Sequence, residues 1–316
     1  MSGLVPYNEA YVTNGKGLVN LGNTCYFNSI LQCIISNPVI YEVLNSIRDA
    51  EHVKKNRLAL NFLALWDAAL ADQDIYNKCV PIWYDIIAIS QGQNSKVRMD
   101  NMGQQDAHEG LMMFLDAMGY IPEVKKLFEH RYKLQVYCET CKRNVVDKEE
   151  NNLAFEIQAS LKTEQLLRYK DVDEFYDKTM SLDEFLKKQN GYVDKFHECP
   201  VCKNKCEKFK SSTLTMIPEI LTIVFKKYTE KIMTQFPLTM EFTAKGGTKK
   251  LVYRLVAQSE HLGNMGGGHY YATCLRKDGW KRLNDASVDS SEPGPTMNTY
   301  IVFYNYVRTE DVAKKE

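Results

Sequence analysis

Residues 17–35, "GLVNLGNTCYFNSILQCII", hand a loop of Asn and Gly over to an apolar helix and put Cys25 at the junction. Positions 26, 27, 30, 31, 34 and 35 are aliphatic or aromatic and fall on one face at the 3.6-residue period. "SNP" at 36–38 ends the pattern, because the residue before a proline is pushed out of the helical region. A thiol at the first turn sits among backbone N–H groups without intrahelical partners, at the positive end of the helix dipole. Both stabilise thiolate over thiol, and the same N–H groups can donate to an oxyanion. On this stretch alone, a packed structural cysteine and a nucleophile are equal readings.

Outward from it, the first 120 residues read as helical, with patterns over 58–71, 81–90 (Pro81 in the first turn) and 104–118. From about 130 the composition turns to strands: 130–138, 219–228, 251–262, 268–276 and 299–307. Between them "SLDEFLKKQ" (181–189) has a capping-box spacing, Ser181 to Glu184, and predicts one helix. The polar segment 163–180 reads as an exposed excursion and 309–316, "TEDVAKKE", as a solvated tail. The expected class is α+β, a helical first third followed by a sheet-rich remainder.

The 316 residues are 44% hydrophobic and 25% charged, with 40 basic side chains against 40 acidic ones. No net charge argues against a nucleic-acid partner bound through phosphates. No run approaches the roughly 20 apolar residues that cross a bilayer; the longest candidate, 58–71, is interrupted by Asn61 and Asp67. The first 17 residues lack a charged stretch followed by an apolar one, so no secretory signal is expected there. Nine cysteines, four of them in C-x-x-C pairs, then favour metal ligands and free thiols over disulfides, and a cytoplasmic and/or nuclear location.

Those pairs, Cys138-Glu-Thr-Cys141 and Cys199-Pro-Val-Cys202, offer four soft thiolates from two tight knuckles, the ligand set of one structural zinc ion. Cys206 is an alternative ligand, and reduced buried thiols are the reading without metal. Of the remaining cysteines, Cys33 and Cys274 read as core residues and Cys79 has no supporting context. A thiolate nucleophile needs a held imidazole. Of six histidines, His269 follows three glycines and opens an apolar strand. A hairpin from 269 to 284 returns Asn284 and Asp285 beside it, although a lone strand histidine is more often structural.

Together these segments resemble the ubiquitin-specific proteases, papain-like deubiquitinating enzymes. Residues 17–32 resemble that family's cysteine box and 266–288, "GGGHYYATCLRKDGWKRLNDASV", its histidine box. "QQDAHEGLMMFLD" (104–116), the two cysteine pairs, and 217–228 match further family segments in order. The resemblance covers 17–307 and implies a papain-like fold: helical thumb (17–125), zinc-bearing fingers (130–228) and β-rich palm (229–308). An extension (1–16) and a tail (309–316) flank it. It implies Cys25 as nucleophile, His269 as base, Asn284 as its orienter with Asp285 sharing or assuming that role, and Asn20 at the oxyanion. It implies hydrolysis after the C-terminal Gly of ubiquitin, with ubiquitin and ubiquitinated proteins as partners of a monomeric enzyme. Gln105, Asp106, Glu109 and Gly268 would line the path of the ubiquitin tail. Gly110 departs from the family's large apolar residue and is expected to loosen its helix or reshape the groove; "FKKY" (225–228) is a milder departure. The rivals are a non-catalytic ubiquitin-binding scaffold, a protease for a related modifier, and a zinc-ribbon interaction module.

Overall fold

Helix α1 (Cys25–Ile35) is buried along its entire length, not on one face only. The polar positions account for the difference, because each finds a partner across the interface. Ser29 Oγ lies 3.0 Å from Ser259 Oγ, and Gln32 Nε2 donates to the Lys16 carbonyl at 2.7 Å. The buried Arg276 donates to Gln32 Oε1 at 2.8 Å and to Ser36 Oγ at 2.5 Å. Burying such groups is tolerated only when they are hydrogen-bonded.

The computed structural model describes residues 4–92, 105–158, 180–181, 193–194, 198–204, 208–226, 233, 235–243, 248–264 and 267–312. Around α1 lie α2 (Pro38–Ser46), α3 (Glu51–Lys54), α4 (Arg57–Leu70), α5 (Cys79–Gly92), α6 (Ala107–Ala117) and α7 (Pro122–Lys126). Pro38 opens α2 where a missing N–H costs nothing, and the Asn56 side chain caps α4 by accepting from the Ala59 amide at 3.0 Å. Phe62 packs edge-on against Trp66 and Phe114, with centroids 5.5 and 5.3 Å apart. All three rings are fully buried, each worth about 1.5–3 kcal/mol in apolar burial.

The strands are β1 (His130–Cys138), β2 (Arg143–Asn152), β3 (Phe155–Gln158), β4 (Met180–Ser181), β5 (Val193–Asp194), β6 (Lys208–Met216) and β7 (Ile220–Lys226). They continue with β8 (Thr239–Thr243), β9 (Lys249–Asn264), β10 (Gly267–Arg276), β11 (Gly279–Asn284), β12 (Ser287–Ser290) and β13 (Thr299–Asp311). Among the described residues they form a four-stranded sheet, β2-β1-β6-β5, and a nine-stranded sheet, β12-β11-β10-β9-β13-β7-β3, with β8 on β9 and β4 on β8. The central strands β7 and β13 of the larger sheet are buried on both faces. Ile220 and Val224 of β7 and Ile301 and Phe303 of β13 face the helical core. Leu221, Ile223, Phe225, Val302 and Tyr304 face a second core, at the period of two that a strand imposes.

Three expected boundaries move. The fingers are β1, β2, β5 and β6 and end at Met216 rather than 228, because β7 is buried on both faces and pairs with β13. The expected tail begins inside β13: Thr309, Glu310 and Asp311 pair with Leu251, Lys250 and Lys249, and the charges are matched by Lys250–Glu310 at 3.1 Å. Residues 4–16 are not a free extension. Tyr7 N–H donates to the Tyr306 carbonyl at 2.8 Å, and the Tyr11 carbonyl accepts from Trp66 Nε1 at 3.1 Å. Residues 163–179, most of the helix expected at 181–189, and Cys206 lie outside the described residues, while Ser181 belongs to β4. Among the described residues, no helix is long and apolar enough to cross a membrane.

Candidate active site

The chain reaches Cys25 through a loop organised on one side chain. Asn20 Oδ1 accepts from the Gly22 amide at 2.9 Å, the Thr24 amide at 3.2 Å and Thr24 Oγ1 at 3.1 Å. Closing that ring needs two left-handed residues, which are Gly22 (φ 89°) and Asn23 (φ 56°), types that tolerate this conformation. The first amide bonded within α1 is Asn28, to the Thr24 carbonyl at 2.9 Å. Cys25 is therefore on the opening turn, only 3% exposed, with the positive helix end around its sulfur.

His269 lies on β10, and the β10–β11 hairpin, closed by Arg276 opposite Gly279, brings Asn284 back to it. Asn284 Oδ1 is 2.5 Å from His269 Nε2. An amide oxygen can only accept, so Nε2 is the donor in this bond and Nδ1 is the ring nitrogen left to act on a proton.

Asp285 does not share the imidazole. Its backbone is left-handed (φ 49°), and both carboxylate oxygens are engaged elsewhere. Oδ2 accepts from Asn20 Nδ2 at 2.8 Å, and Oδ1 accepts from Asn28 Nδ2 at 2.7 Å. Its carbonyl also accepts from the Leu18 amide at 2.8 Å. The one-residue step from Asn284 turns the side chain away from the histidine and toward the cysteine loop. One Asn20 N–H is thus aimed by a carboxylate, and the second points away from that bond. The same loop is held from below. The Val19 amide donates to the Tyr76 carbonyl at 2.9 Å, and the Val19 carbonyl accepts from Asn28 Nδ2 at 3.0 Å. Cys79 Sγ lies 3.5 Å from the Tyr76 carbonyl and 3.8 Å from that of Val19, and burial pushes its thiol up to about 11.

Beside this centre, Asp106 caps α6. Its Oδ1 accepts from the His108 and Glu109 amides at 2.8 and 3.2 Å, and its Oδ2 from the Tyr300 hydroxyl at 2.8 Å. Gln105, half-buried, precedes it. Glu109 points outward with its carboxyl raised, chiefly by partial burial and then by Asp106. Tyr270 is buried between the two elements, its phenol raised by burial and its hydroxyl met by the Ala107 backbone. The His261 ring stacks on it, centroids 4.4 Å apart. A Cβ on Gly268 would fall 2.1 Å from the Leu262 carbonyl oxygen and 2.4 Å from His261 Nε2, so only glycine fits this wall.

Gly110 does not loosen its helix, since α6 runs through it unbroken. Tyr26 takes the space instead: a Cβ on Gly110 would touch Cδ2 and Cε2 of that ring at 3.2 Å.

The two C-x-x-C pairs meet at one end of the four-stranded sheet. The four Sγ atoms lie within 4.8 Å of one another, with Cys138–Cys202 at 4.0 Å and Cys141–Cys199 at 3.7 Å. A tetrahedral ion with bonds of about 2.3 Å separates its sulfurs by about 3.8 Å, so the set fits a metal ion. The knuckles share one shape: Lys142 and Lys203, each following the second cysteine, are both left-handed, at φ 53° and 60°.

The family model for ubiquitin carboxyl-terminal hydrolases matches residues 16–304. Human ubiquitin carboxyl-terminal hydrolase 17-like protein 5 is 26% identical over 92% of this chain and 56% of its own length. The 17-like protein 6 is 25% identical over 92% of this chain and 74% of its own. The chain thus spans only about half the length of the first of these relatives. Among solved structures, Ubp8 in the SAGA DUB module bound to monoubiquitin has a TM-score of 0.65 at 19% identity, covering 98% of this chain and 72% of that one. The yeast SAGA DUB module with an Sgf73 mutant gives 0.64 at 18%, with the same coverage. By the extent of the match, which takes in most of its length, the chain belongs to the ubiquitin carboxyl-terminal hydrolase family.

Proposed function

We propose that the chain is a thiol-dependent deubiquitinase that hydrolyses isopeptide and peptide bonds after the C-terminal Gly of ubiquitin. The carrying observation is that the His269–Asn284 pair is followed directly by Asp285, whose carboxylate is tied to the loop that leads into helix-tip Cys25. His269 Nδ1 takes the Cys25 proton, and the thiolate adds to the glycine carbonyl. The oxyanion receives the second Asn20 N–H and the opening amides of α1. His269 returns the proton to the departing amine, leaving a thioester on Cys25. Water, deprotonated by His269, then releases ubiquitin and restores the thiol.

We assign Gln105, Asp106, Glu109 and Gly268 to the ubiquitin tail. Of the acids, Glu109 is the exposed one, while Asp106 is committed to its cap. Cys138, Cys141, Cys199 and Cys202 hold one structural zinc ion, which ties the far end of the fingers when bound. Ubiquitin and its conjugates are the partners, the enzyme acts as a monomer, and its reduced cysteines suit the cytoplasm and/or nucleus. The test is hydrolysis of ubiquitin carrying a fluorogenic amine on its C-terminal Gly. Turnover that disappears in Cys25→Ala while ubiquitin still binds supports the reading, and turnover that survives Cys25→Ala overturns it.

A further inference from the structure

Gly17 is half-buried where the first segment of the chain crosses the turn after β11. A Cβ built on it would lie 2.4 Å from the Ala286 carbonyl oxygen, 2.7 Å from its carbon and 2.8 Å from its Cα. These are backbone atoms and cannot rotate aside. Gly17 is not among the residues with left-handed φ, so an L side chain suits its backbone, and the contact alone demands glycine. The crossing is fastened just beyond Gly17: the Leu18 amide bonds the Asp285 carbonyl at 2.8 Å, and Asn20 bonds the Asp285 carboxylate at 2.8 Å. One residue before Asp285 stands Asn284, which holds His269.

We infer that Gly17 is a positioning residue for catalysis. Its missing side chain lets the segment carrying Asn20 and Cys25 lie flush on the turn carrying Asn284 and Asp285. Oxyanion donor, nucleophile and base then share one frame. The inference rests on the proposed hydrolase reading for its purpose, but the geometry it invokes is independent of the substrate. Ordinary Cβ contact begins at 3.4 Å, so an alanine at 17 must part segment and turn by about 1 Å. Misplacement by about 1 Å costs on the order of 100-fold in rate. Gly15, two residues earlier, provides the contrast. The atoms nearest a Cβ there are Lys281 Cγ and Val288 Cγ1, both at 3.1 Å, which are side-chain atoms able to shift.

The experiment compares wild type, Gly17→Ala and Gly15→Ala in the full chain by two readouts. One is kcat and KM on the fluorogenic ubiquitin amide. The other, without ubiquitin, is the pH profile of iodoacetamide alkylation at Cys25, located by mass spectrometry. Gly17→Ala is expected to lose about 100-fold in kcat with KM within about threefold of wild type. Its alkylation midpoint should also move, as Cys25 loses an aligned His269. Gly15→Ala should keep both. Wild-type kcat and an unmoved midpoint in Gly17→Ala overturn the inference, whatever happens to melting temperature. Should that variant not fold, Asn28→Ala removes a side-chain tie between the same turn and segment, and an unmoved midpoint in it is equally decisive. A wild-type protein that leaves the ubiquitin amide intact overturns the hydrolase reading instead, and the alkylation profile still decides the role of Gly17.

Discussion

Asn284 and Asp285 are adjacent, chemically similar and both near the site, yet the geometry gives them different work, which substitution can separate. Asp285→Ala removes the acceptor of two amide donors, Asn20 at 2.8 Å and Asn28 at 2.7 Å, and leaves the Asn284–His269 bond in place. Hydrogen bonds to a charged group contribute about 1.5–3 kcal/mol each. The Asn20 bond is exposed, so the lower end of that range applies to it. Asp285 reaches the oxyanion only through Asn20. Its loss is therefore bounded by the loss of an oxyanion donor, about 10²–10³ in kcat. We expect Asp285→Ala to lower kcat by about 10–100-fold. The assay is steady-state hydrolysis of the ubiquitin amide by Asp285→Ala, Asn20→Ala, their double variant and Asn284→Ala, across pH. The double variant should be within about threefold of Asn20→Ala, because the two act as one unit. Only Asn284→Ala should alter the pH profile, since it alone releases the imidazole. Additive losses from Asp285→Ala and Asn20→Ala would refute the reasoning, as would a shifted profile in Asp285→Ala with an unshifted one in Asn284→Ala.

Other outcomes follow from particular contacts. Replacing Cys199 by Ser, or stripping metal with a chelator, should melt the four-stranded sheet and raise KM for ubiquitin more than it lowers kcat, seen by thermal denaturation and kinetics together. His130 is fully buried among Tyr132 and Phe155, and burial lowers its pKa to about 4 while the unfolded chain protonates near 6.5. Because the folded value is the lower one, its stabilising contribution is complete above pH about 6.5 and is lost as pH falls toward 4, about 3 kcal/mol at most. His130→Phe, which also removes an Nε2 without a hydrogen-bond partner, should flatten the melting temperature across that window; an unchanged slope would contradict the assignment. Gly110→Leu should cost about 1–3 kcal/mol in urea unfolding and lower kcat, because the displaced Tyr26 is the neighbour of Cys25; full stability would mean the ring has room to move.

Much of this was readable from residue order. Local signals carried α1, the hairpin from His269 to Asn284 and the four cysteines, because period, turn residues and ligand spacing act within short windows. What escaped depends on pairing between distant segments. β7 reads as the last finger strand until its double burial against β13 is seen, and "TED" reads as tail until Lys250 answers Glu310. In the site, Asn284 and Asp285 could not be separated in advance, since only the left-handed backbone at Asp285 directs its carboxylate to Asn20 and Asn28. Asn28 left one trace: a polar side chain about one turn beyond Cys25 in a mostly apolar helix, which the structure buries to 3% exposure. Gly110 stands out in the sequence, but the ring that fills its place comes from another helix, and no local pattern records that.

The central claim is that Cys25 is the nucleophile of a ubiquitin hydrolase. Its most direct test is reaction of the full chain with ubiquitin bearing a thiol-reactive group at its C-terminus, followed by peptide mapping of the adduct. The account predicts one ubiquitin per chain, attached at Cys25, with no adduct in Cys25→Ala and a slower one in Asn284→Ala. Attachment at another cysteine, or an adduct that forms equally well in Cys25→Ala, would contradict it.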